Sequence, residues 1–154
     1  MWCGDEAVFS RIEKDGYSIR RMNTHKITGC LYAFFDGLRE DLRKTGMCVA
    51  HRETEKHIPE IYLTASKRQR LELLAGLLDT DGTLVRKEHR YQFSTTCERL
   101  KDELVSLIYT FGWRCSVRCL PPMVSSSGIK GNLPVWTVSF NPTGNSKISC
   151  SLFR

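Results

Sequence analysis

The chain has 154 residues, of which 41% are apolar and 26% are charged, a balance typical of a folded globular protein. Its 23 basic residues outnumber its 17 acidic residues and give a formal charge of +6 at pH 7, which favours a polyanionic partner without identifying one. No apolar run approaches the roughly 20 residues that cross a bilayer, and no signal-peptide pattern follows Met1. We therefore expect an intracellular protein, in either the nucleus or the cytoplasm.

The seven cysteines are irregularly spaced, and none forms a Cys-x-x-Cys pair. Cys115 and Cys119 come closest, but they lack the additional clustered ligands that a structural zinc site requires. An odd number of irregularly spaced cysteines favours reduced thiols, most of them buried.

The first part of the chain predicts a β-hairpin over residues 7–12 and 17–22, a helix over 27–42 and a short strand over 47–50. The hairpin prediction depends on apolar residues at both faces of 7–12 and on the turn signal at Asp15-Gly16. The helix prediction depends on apolar residues at helical spacing, with Thr24 as the cap and Gly46 as the stop.

The second part predicts a helix over 66–78, a hairpin over 83–86 and 91–95, a helix over 98–111, and strands over 113–120 and 135–140. A long Pro-, Ser- and Gly-rich loop, which contains Lys130, joins the last two strands. The order of elements recurs along the chain, and Asp5 and Asp81 each stand just before a predicted hairpin. The sequence therefore predicts an internal structural repeat.

Residues 74–82 are Leu-Ala-Gly-Leu-Leu-Asp-Thr-Asp-Gly. This run resembles the signature of LAGLIDADG homing endonucleases and differs from it only at Leu78 and Thr80. Ala75 and Gly76 lack bulk, so two such helices can pack nearly backbone to backbone, with Asp81 at the seam facing DNA. Two carboxylates that meet there can hold Mg²⁺ against phosphates.

Two other interpretations of this run remain. A helix that simply stops at Asp-Gly needs no further function. The run also half-resembles an EF-hand loop, but Leu77 then falls where that loop requires its first carboxylate, and the chain continues as a strand.

The flanking residues resemble the endonuclease domains of inteins in particular. Lys56-His57-Ile58-Pro59, followed by Tyr62-Leu63, Arg70 and the signature, is similar to the family run K-x-I-P…L…R…LAGLIDADG. The lysine of that run is an active-site residue in the family, so the resemblance implies a catalytic role for Lys56 near the scissile phosphate. A solvated surface lysine is the alternative. The resemblance extends from Lys56 to about Phe140.

The two ends of the chain match the family less completely, as if both were truncated. Gly4-Asp5 resembles the tail of the first signature, W-L-G-D-G, although Glu6 replaces the usual glycine and the preceding helix is missing. The resemblance implies that Asp5 is the partner carboxylate of Asp81 and that both bind Mg²⁺. For the second active-site lysine, Lys130 and Lys147 are only substitutes. No splice-junction block is present, so we do not expect protein splicing.

The resemblance implies an α+β fold with two αββαββ-like halves related by a pseudo-two-fold axis. Residues 1–55 would form a truncated first half and residues 56–154 the second. The strands would form a saddle in the major groove of double-stranded DNA, where alternation allows only some side chains on the DNA face. The candidate DNA contacts are Arg11, Arg20, Arg21, Arg86, Arg90, Gln92, Arg114, Arg118 and Lys130.

The predicted function is Mg²⁺-dependent, site-specific cleavage of double-stranded DNA by the endonuclease domain of an intein. The protein would act as a monomer with two halves, or as a dimer if the truncation is natural. Two alternatives retain the saddle, namely a catalytically inactive DNA-binding relic and an RNA maturase of the same family. Cleavage requires Asp5 and Asp81 to converge, whereas binding requires neither. A protein that binds no nucleic acid is the third interpretation.

Overall fold

The protein is an α+β protein with two antiparallel sheets, as predicted. The computed structural model describes residues 2–3, 6–46, 56–124, 128, 130–143 and 148. The chain divides into two compact units, Met1–Cys48 and Val49–Arg154. In the described parts of the chain, no helix is long and apolar enough to cross a membrane.

The first unit contains strand β1 (Trp2–Cys3), helix α1 (Glu6–Lys14), strands β2 (Ile19–Thr24) and β3 (Leu31–Phe35), and helix α2 (Leu38–Lys44). Its sheet has the order β1-β3-β2. The ring of Phe9 in α1 meets the ring of Phe35 edge-on, with centroids 5.9 Å apart. The hydroxyl of Tyr17 donates to Asp41 at 3.2 Å. Hydrogen bonds from Lys44 and Tyr17 hold the pKa of Asp41 below its ordinary value.

The predicted hairpin over 7–12 and 17–22 is wrong. Residues 7–12 belong to α1, because Phe9 and Ile12 are three residues apart and share the inward face of a helix. Val8, expected on the same strand face as Ile12, is 50% exposed. The hairpin of this unit is formed instead by β2 and β3.

The predicted helix over 27–42 is also wrong in its first part, and Thr24 ends β2 instead of capping a helix. Residues 31–35 are rich in aromatic side chains, which favour a strand. Gly29 and Gly37 on either side have φ angles of +69° and +75°, which interrupt a helix. Only residues 38–44 are helical. The strand predicted over 47–50 lies outside the described residues.

The second unit contains helices α3 (Glu60–Leu63), α4 (Lys67–Asp81) and α5 (Glu98–Tyr109), and strands β4 (Gly82–Val85), β5 (Arg90–Thr95), β6 (Cys115–Leu120) and β7 (Val135–Phe140). These elements confirm the helix, hairpin, helix and two strands that the sequence predicts, with ends shifted by a few residues. A short 3-10 turn (Arg86–Glu88) joins β4 and β5. The sheet has the order β4-β5-β7-β6, with antiparallel neighbours throughout.

The core of the second unit lies between this sheet and the helices. Its buried apolar side chains come from α4, from α5 and from one face of the sheet, and include Leu74, Leu78, Phe93, Leu104, Leu107, Ile108, Val138 and Phe140. The ring of Phe140 stacks with those of Tyr91 and Trp113, with centroids 5.7 and 6.0 Å away. Lys101 of α5 lies over the ring of Trp136 at 4.5 Å and pairs with Asp102 at 2.6 Å.

A helix–hairpin–helix order occurs in both units, as α1-β2-β3-α2 and α4-β4-β5-α5. The repeat therefore exists with different elements from those predicted for the first unit. Asp81 stands directly before a hairpin, as expected. Asp5 lies outside the described residues, and the chain after it forms α1 and not the expected hairpin. The residues between α1 and its hairpin include Asp15 and Gly16.

Gly82 begins β4 immediately after α4, and a Cβ at this position would fall against the carbonyl oxygen of Leu78 and 2.6 Å from its Cα. Because these are backbone atoms, the junction would have to shift. We expect Gly82→Ala to lower the free energy of unfolding by about 1–3 kcal/mol, as overpacking does elsewhere. Urea unfolding of the purified protein measures the change.

Glu72→Ala is the control for this prediction. Glu72 is exposed on the same helix, and its ion pair with Arg68 at 3.8 Å is also exposed, so it contributes little to stability. Exposed substitutions of this kind usually change the free energy of unfolding by less than about 0.5 kcal/mol. A Gly82→Ala protein that unfolds at the same urea concentration as Glu72→Ala would contradict the prediction.

Candidate nucleic-acid interface

The sheet of the second unit has one apolar and one polar face. Alternation along the strands turns Tyr91, Phe93, Val138 and Phe140 toward the helices, where they join the core. The intervening residues face away from the helices. One row of direct neighbours crosses all four strands and consists of Thr83, Gln92, Ser139 and Ser116. A second row consists of Ser94, Thr137 and Arg118.

Two side-chain hydrogen bonds connect β5 and β7 on this polar face. The amide nitrogen Nε2 of Gln92 donates to Ser139 Oγ at 3.2 Å. The hydroxyls of Ser94 and Thr137 lie 3.1 Å apart, and either can donate. The Gln92 amide is half-buried, whereas Ser94 is exposed. The centre of the face is therefore hydrogen-bonding and uncharged.

Of the predicted DNA contacts in this unit, Arg90, Gln92 and Arg118 lie on the polar face. Arg90 forms an ion pair with Glu88 at 2.8 Å. Arg114 is exposed one residue before β6 and two residues before Ser116, so alternation places it on the same side as Ser116. The remaining two are exposed but lie off the sheet: Arg86 is in the 3-10 turn and Lys130 is in the loop between β6 and β7.

In the first unit, Arg20 and Arg21 are exposed on β2. Arg21 pairs with Phe34 across the sheet, and a register shift leaves Arg20 without a direct partner there. Arg11 is also exposed, but it belongs to α1, so its expected place on a DNA-facing strand is wrong. The reason is the helical spacing of Phe9 and Ile12 described above.

A shallow groove of about 410 Å³ lies at the tip of the β2–β3 hairpin. Its lining consists of Arg21, Asn23, Thr24, His25, Lys26, Ile27 and Tyr32. The sequence prediction named only Arg21 of these residues, because it ended the strand at residue 22, made Thr24 a helix cap and assigned 27–42 to a helix. The signal that could have found them is the glycine at position 29 followed by the aromatic strand pattern after Leu31.

The LAGLLDTDG run forms the second half of α4 and the first residue of β4. Leu74 and Leu78 are buried in the core of the unit and anchor the helix there. Ala75 is also buried there, at 8% exposure, so only Gly76 of the small pair is open to solvent. Asp81 is exposed at the helix end.

The neighbourhood of Asp81 decides which metal chemistry is feasible. Among the described residues, no three His, Cys, Asp or Glu side chains gather as a metal site. A magnesium ion held between protein and phosphates needs only one or two protein carboxylates, and exposed Asp81 can supply one. Asp79, two residues earlier, is half-buried. Asp5, the expected second ligand, lies outside the described residues.

Lys56 is exposed, but its main chain is fixed to the start of α5. The thiol of Cys97 donates to the carbonyl oxygen of Lys56 at 3.0 Å. The backbone N–H of Ile58, which is buried, donates to the carboxylate of Glu103. These contacts hold the segment before α3 against the core and leave the Lys56 side chain at the surface.

Four described cysteines are reduced thiols outside any disulfide, as expected, but they are not mostly buried. Cys97 is buried and Cys115 half-buried, whereas Cys30 and Cys119 are exposed. Cys30 lies in the turn before β3, and Cys119 lies on the edge strand β6, where the helices do not cover it.

Comparison with known proteins gives two similarities. Residues 68–118, from α4 into β6, match a family described as a LAGLIDADG-like domain. The replicative DNA helicase DnaB of Mycobacterium intracellulare is 55% identical over 60 residues, which are 39% of this chain and 10% of the helicase. The chain thus matches about a tenth of the length of that relative. The family match supports the resemblance to LAGLIDADG homing endonucleases.

Proposed function

We propose that this chain is the endonuclease domain of an intein, which binds double-stranded DNA and cuts it at a specific site with Mg²⁺. The observation that carries the proposal is the LAGLLDTDG run, with Leu74 and Leu78 buried and Asp81 exposed directly before a hairpin. The LAGLIDADG-like match over residues 68–118 supports it. The similarity to a helicase is confined to 10% of that longer protein, which fits an element inserted into a host protein.

The polar sheet face is the proposed DNA-binding surface. The major groove admits a β-surface and presents a full pattern of donors and acceptors. The hydroxyl and amide groups on β5 and β7 can form hydrogen bonds with the donors and acceptors of the bases. Arg90 and Arg118 on the same face can contact phosphate or guanine. In the first unit, Arg20 and Arg21 are the proposed contacts, and the formal charge of +6 favours the same partner.

Asp81 and Asp5 are the proposed ligands of Mg²⁺, which when bound would neutralise phosphate charge and activate a water. The exposed carboxylate of Asp81 would orient toward the scissile phosphate from the end of α4. The amine of Lys56 would stabilise negative charge that develops on that phosphate. In a dimer, Asp81 of a second copy would supply the other carboxylate.

The exposed side of α4 fits a second helix at close range. Gly76 lies between half-buried Leu73 and Leu77, one helical turn before exposed Thr80. Residues spaced in this way form a narrow apolar seam with a gap at the glycine. A pseudo-two-fold arrangement, within one chain or between two copies, would use this seam.

A catalytically inactive DNA-binding relic is the second candidate function. The observation that favours it is the helix α1 immediately after Asp5. Asp81 ends a helix that leads into a hairpin, whereas Asp5 precedes a helix, so the two acids do not occupy equivalent places. Binding to DNA would not depend on this difference.

Duplex DNA should bind with an affinity that falls steeply as salt rises, because cations are released from the phosphates. A gel-shift titration at several salt concentrations gives the slope of the logarithm of the binding constant against the logarithm of the salt concentration. Arg118→Ala should reduce the magnitude of that slope by about one, the contribution of one phosphate contact. Arg68→Ala, at the exposed front of α4, is the matched control and should leave it unchanged. Folded protein that binds no duplex at low salt would refute DNA binding.

Asp81→Asn should abolish Mg²⁺-dependent nicking of a duplex selected by binding, because it removes the ligand charge at constant size. The fold should survive, since Asp81 is exposed, and DNA binding should persist or tighten. Asp79→Asn is the neighbouring control and should lose some thermal stability while nicking continues. Asp81→Asn that nicks like the parent would show that the assignment is wrong.

The same nicking assay tests which acidic residue of the first unit is the partner of Asp81. Asp5→Asn should abolish nicking, whereas Asp15→Asn, in the junction between α1 and its hairpin, should not. The reverse result would transfer the partner role to Asp15. A parent protein that binds the selected duplex but never nicks it would favour the inactive relic.

Lys56→Ala should lower the nicking rate much more than it lowers DNA affinity, because its amine acts on charge that develops during the reaction. Lys56→Arg keeps the charge and should restore part of the rate. Single-turnover rates and gel-shift affinities, measured on the same duplex, give the comparison. Lys67→Ala, exposed at the start of α4, is the control. Equal losses in rate and affinity would identify Lys56 as a phosphate contact only.

A further inference from the structure

The polar sheet face separates charged from uncharged side chains. Thr83, Gln92, Ser139 and Ser116 cross the four strands without a charge, whereas Arg118 lies on the edge strand β6 and Arg90 lies at the turn end of β5. Uncharged amides and hydroxyls contribute little to phosphate neutralisation, but they match the hydrogen-bonding edges of bases. The neutral row is therefore the part of the face that fits base recognition.

Gln92 supplies a donor and an acceptor together within this row. A glutamine amide carries two N–H donors on nitrogen and a carbonyl acceptor. One donor is engaged, because Nε2 donates to Ser139 Oγ at 3.2 Å. Among the described residues, the second N–H and the carbonyl oxygen make no further side-chain hydrogen bond and can serve a ligand. A serine or threonine hydroxyl can either donate or accept, so the hydroxyls of this face impose no fixed pattern of their own.

An adjacent donor and acceptor match one base in the major groove. Adenine presents an N6 donor beside an N7 acceptor, whereas guanine presents two acceptors. We infer that Gln92 is a specificity-determining residue that selects adenine in the target site, and that Ser139 is the residue that positions its amide. The inference rests on the proposed DNA-binding function and adds the base that one position of the site requires.

Ser139 contributes by holding the amide group of Gln92 in place before DNA binds. Its hydroxyl can accept from or donate to the amide, so the contact limits the position of the amide group and not the choice of its donor and acceptor. Ordering a long side chain in advance also reduces the entropy cost of binding. Gln92 is half-buried between direct neighbours Thr83 and Ser139, which further restricts its side chain.

Selection from a library of randomised duplexes tests the inference, followed by sequencing of the bound pool. The parent should select a site with adenine at the position that Gln92 contacts. Gln92→Glu leaves only acceptors, which match the N4 donor of cytosine, so preference at that position should shift from adenine to cytosine. The shift should be on the order of tenfold, about the discrimination of one bidentate contact.

Ser139→Ala should weaken the adenine preference at the same position and leave the remainder of the selected site unchanged. Gln92→Ala should remove that preference altogether, and circular dichroism checks that each variant is folded. Two control variants make the same residue exchanges, glutamine to glutamate and serine to alanine, at positions away from the polar sheet face. Gln69→Glu retains the capping box of α4, and Ser106→Ala changes an exposed serine on α5. Both should select the parental site.

The outcomes distinguish this inference from the proposed function. A parent that binds no duplex, or binds all sequences equally, would overturn the proposed function itself. A parent that selects a defined site, with folded Gln92 variants that select the identical site, would overturn the adenine assignment alone. Ser139→Ala that retains the full adenine preference would overturn the positioning role.

Discussion

The packing of α4 against the four-stranded sheet is the constraint on which the second unit depends. Leu74 and Leu78 are fully buried there, and each contributes about 1.5–3 kcal/mol of hydrophobic stabilisation. Such amounts are large beside the total stability of about 5–15 kcal/mol of a typical domain. The same packing decides that Asp81 emerges at the exposed helix end and that the opposite sheet face remains open.

The sequence was sufficient to predict the second unit because its local signals agree with each other. Ser66 and Gln69 form a capping box at the start of α4, the leucines have helical spacing, and the hairpin after Gly82 has alternating strands. In the first unit the signals conflict. The short run around Phe9 fits both a strand and a helix, and the aromatic run from Leu31 has apolar residues at helical spacing as well. For residues 31–35, the glycines at positive φ on either side interrupt a helix, and apolar periodicity does not reveal them.

The candidate site residues Asp81 and Lys56 are predictions that come from the resemblance of the short runs around them. Nothing in those runs reveals that Cys97 holds the Lys56 carbonyl from 41 residues away. The hydrogen bond between Gln92 and Ser139 joins residues 47 apart and depends on strand register. Strand register follows from the packing of the core. The sequence alone therefore could not show that the uncharged side chains form one row across the sheet and that the arginines lie outside that row.

Core and polar residues alternate on the same strands, which limits the sequence changes that the polar sheet face can accept among related proteins. An exchange of one outward side chain on β5 or β7 leaves the stacked rings behind it in place. An insertion or deletion of one residue within either strand would instead turn Phe93 or Val138 toward water and bring polar groups into the core. Related proteins that recognise different ligands with this sheet should therefore keep identical strand lengths and differ by point replacements.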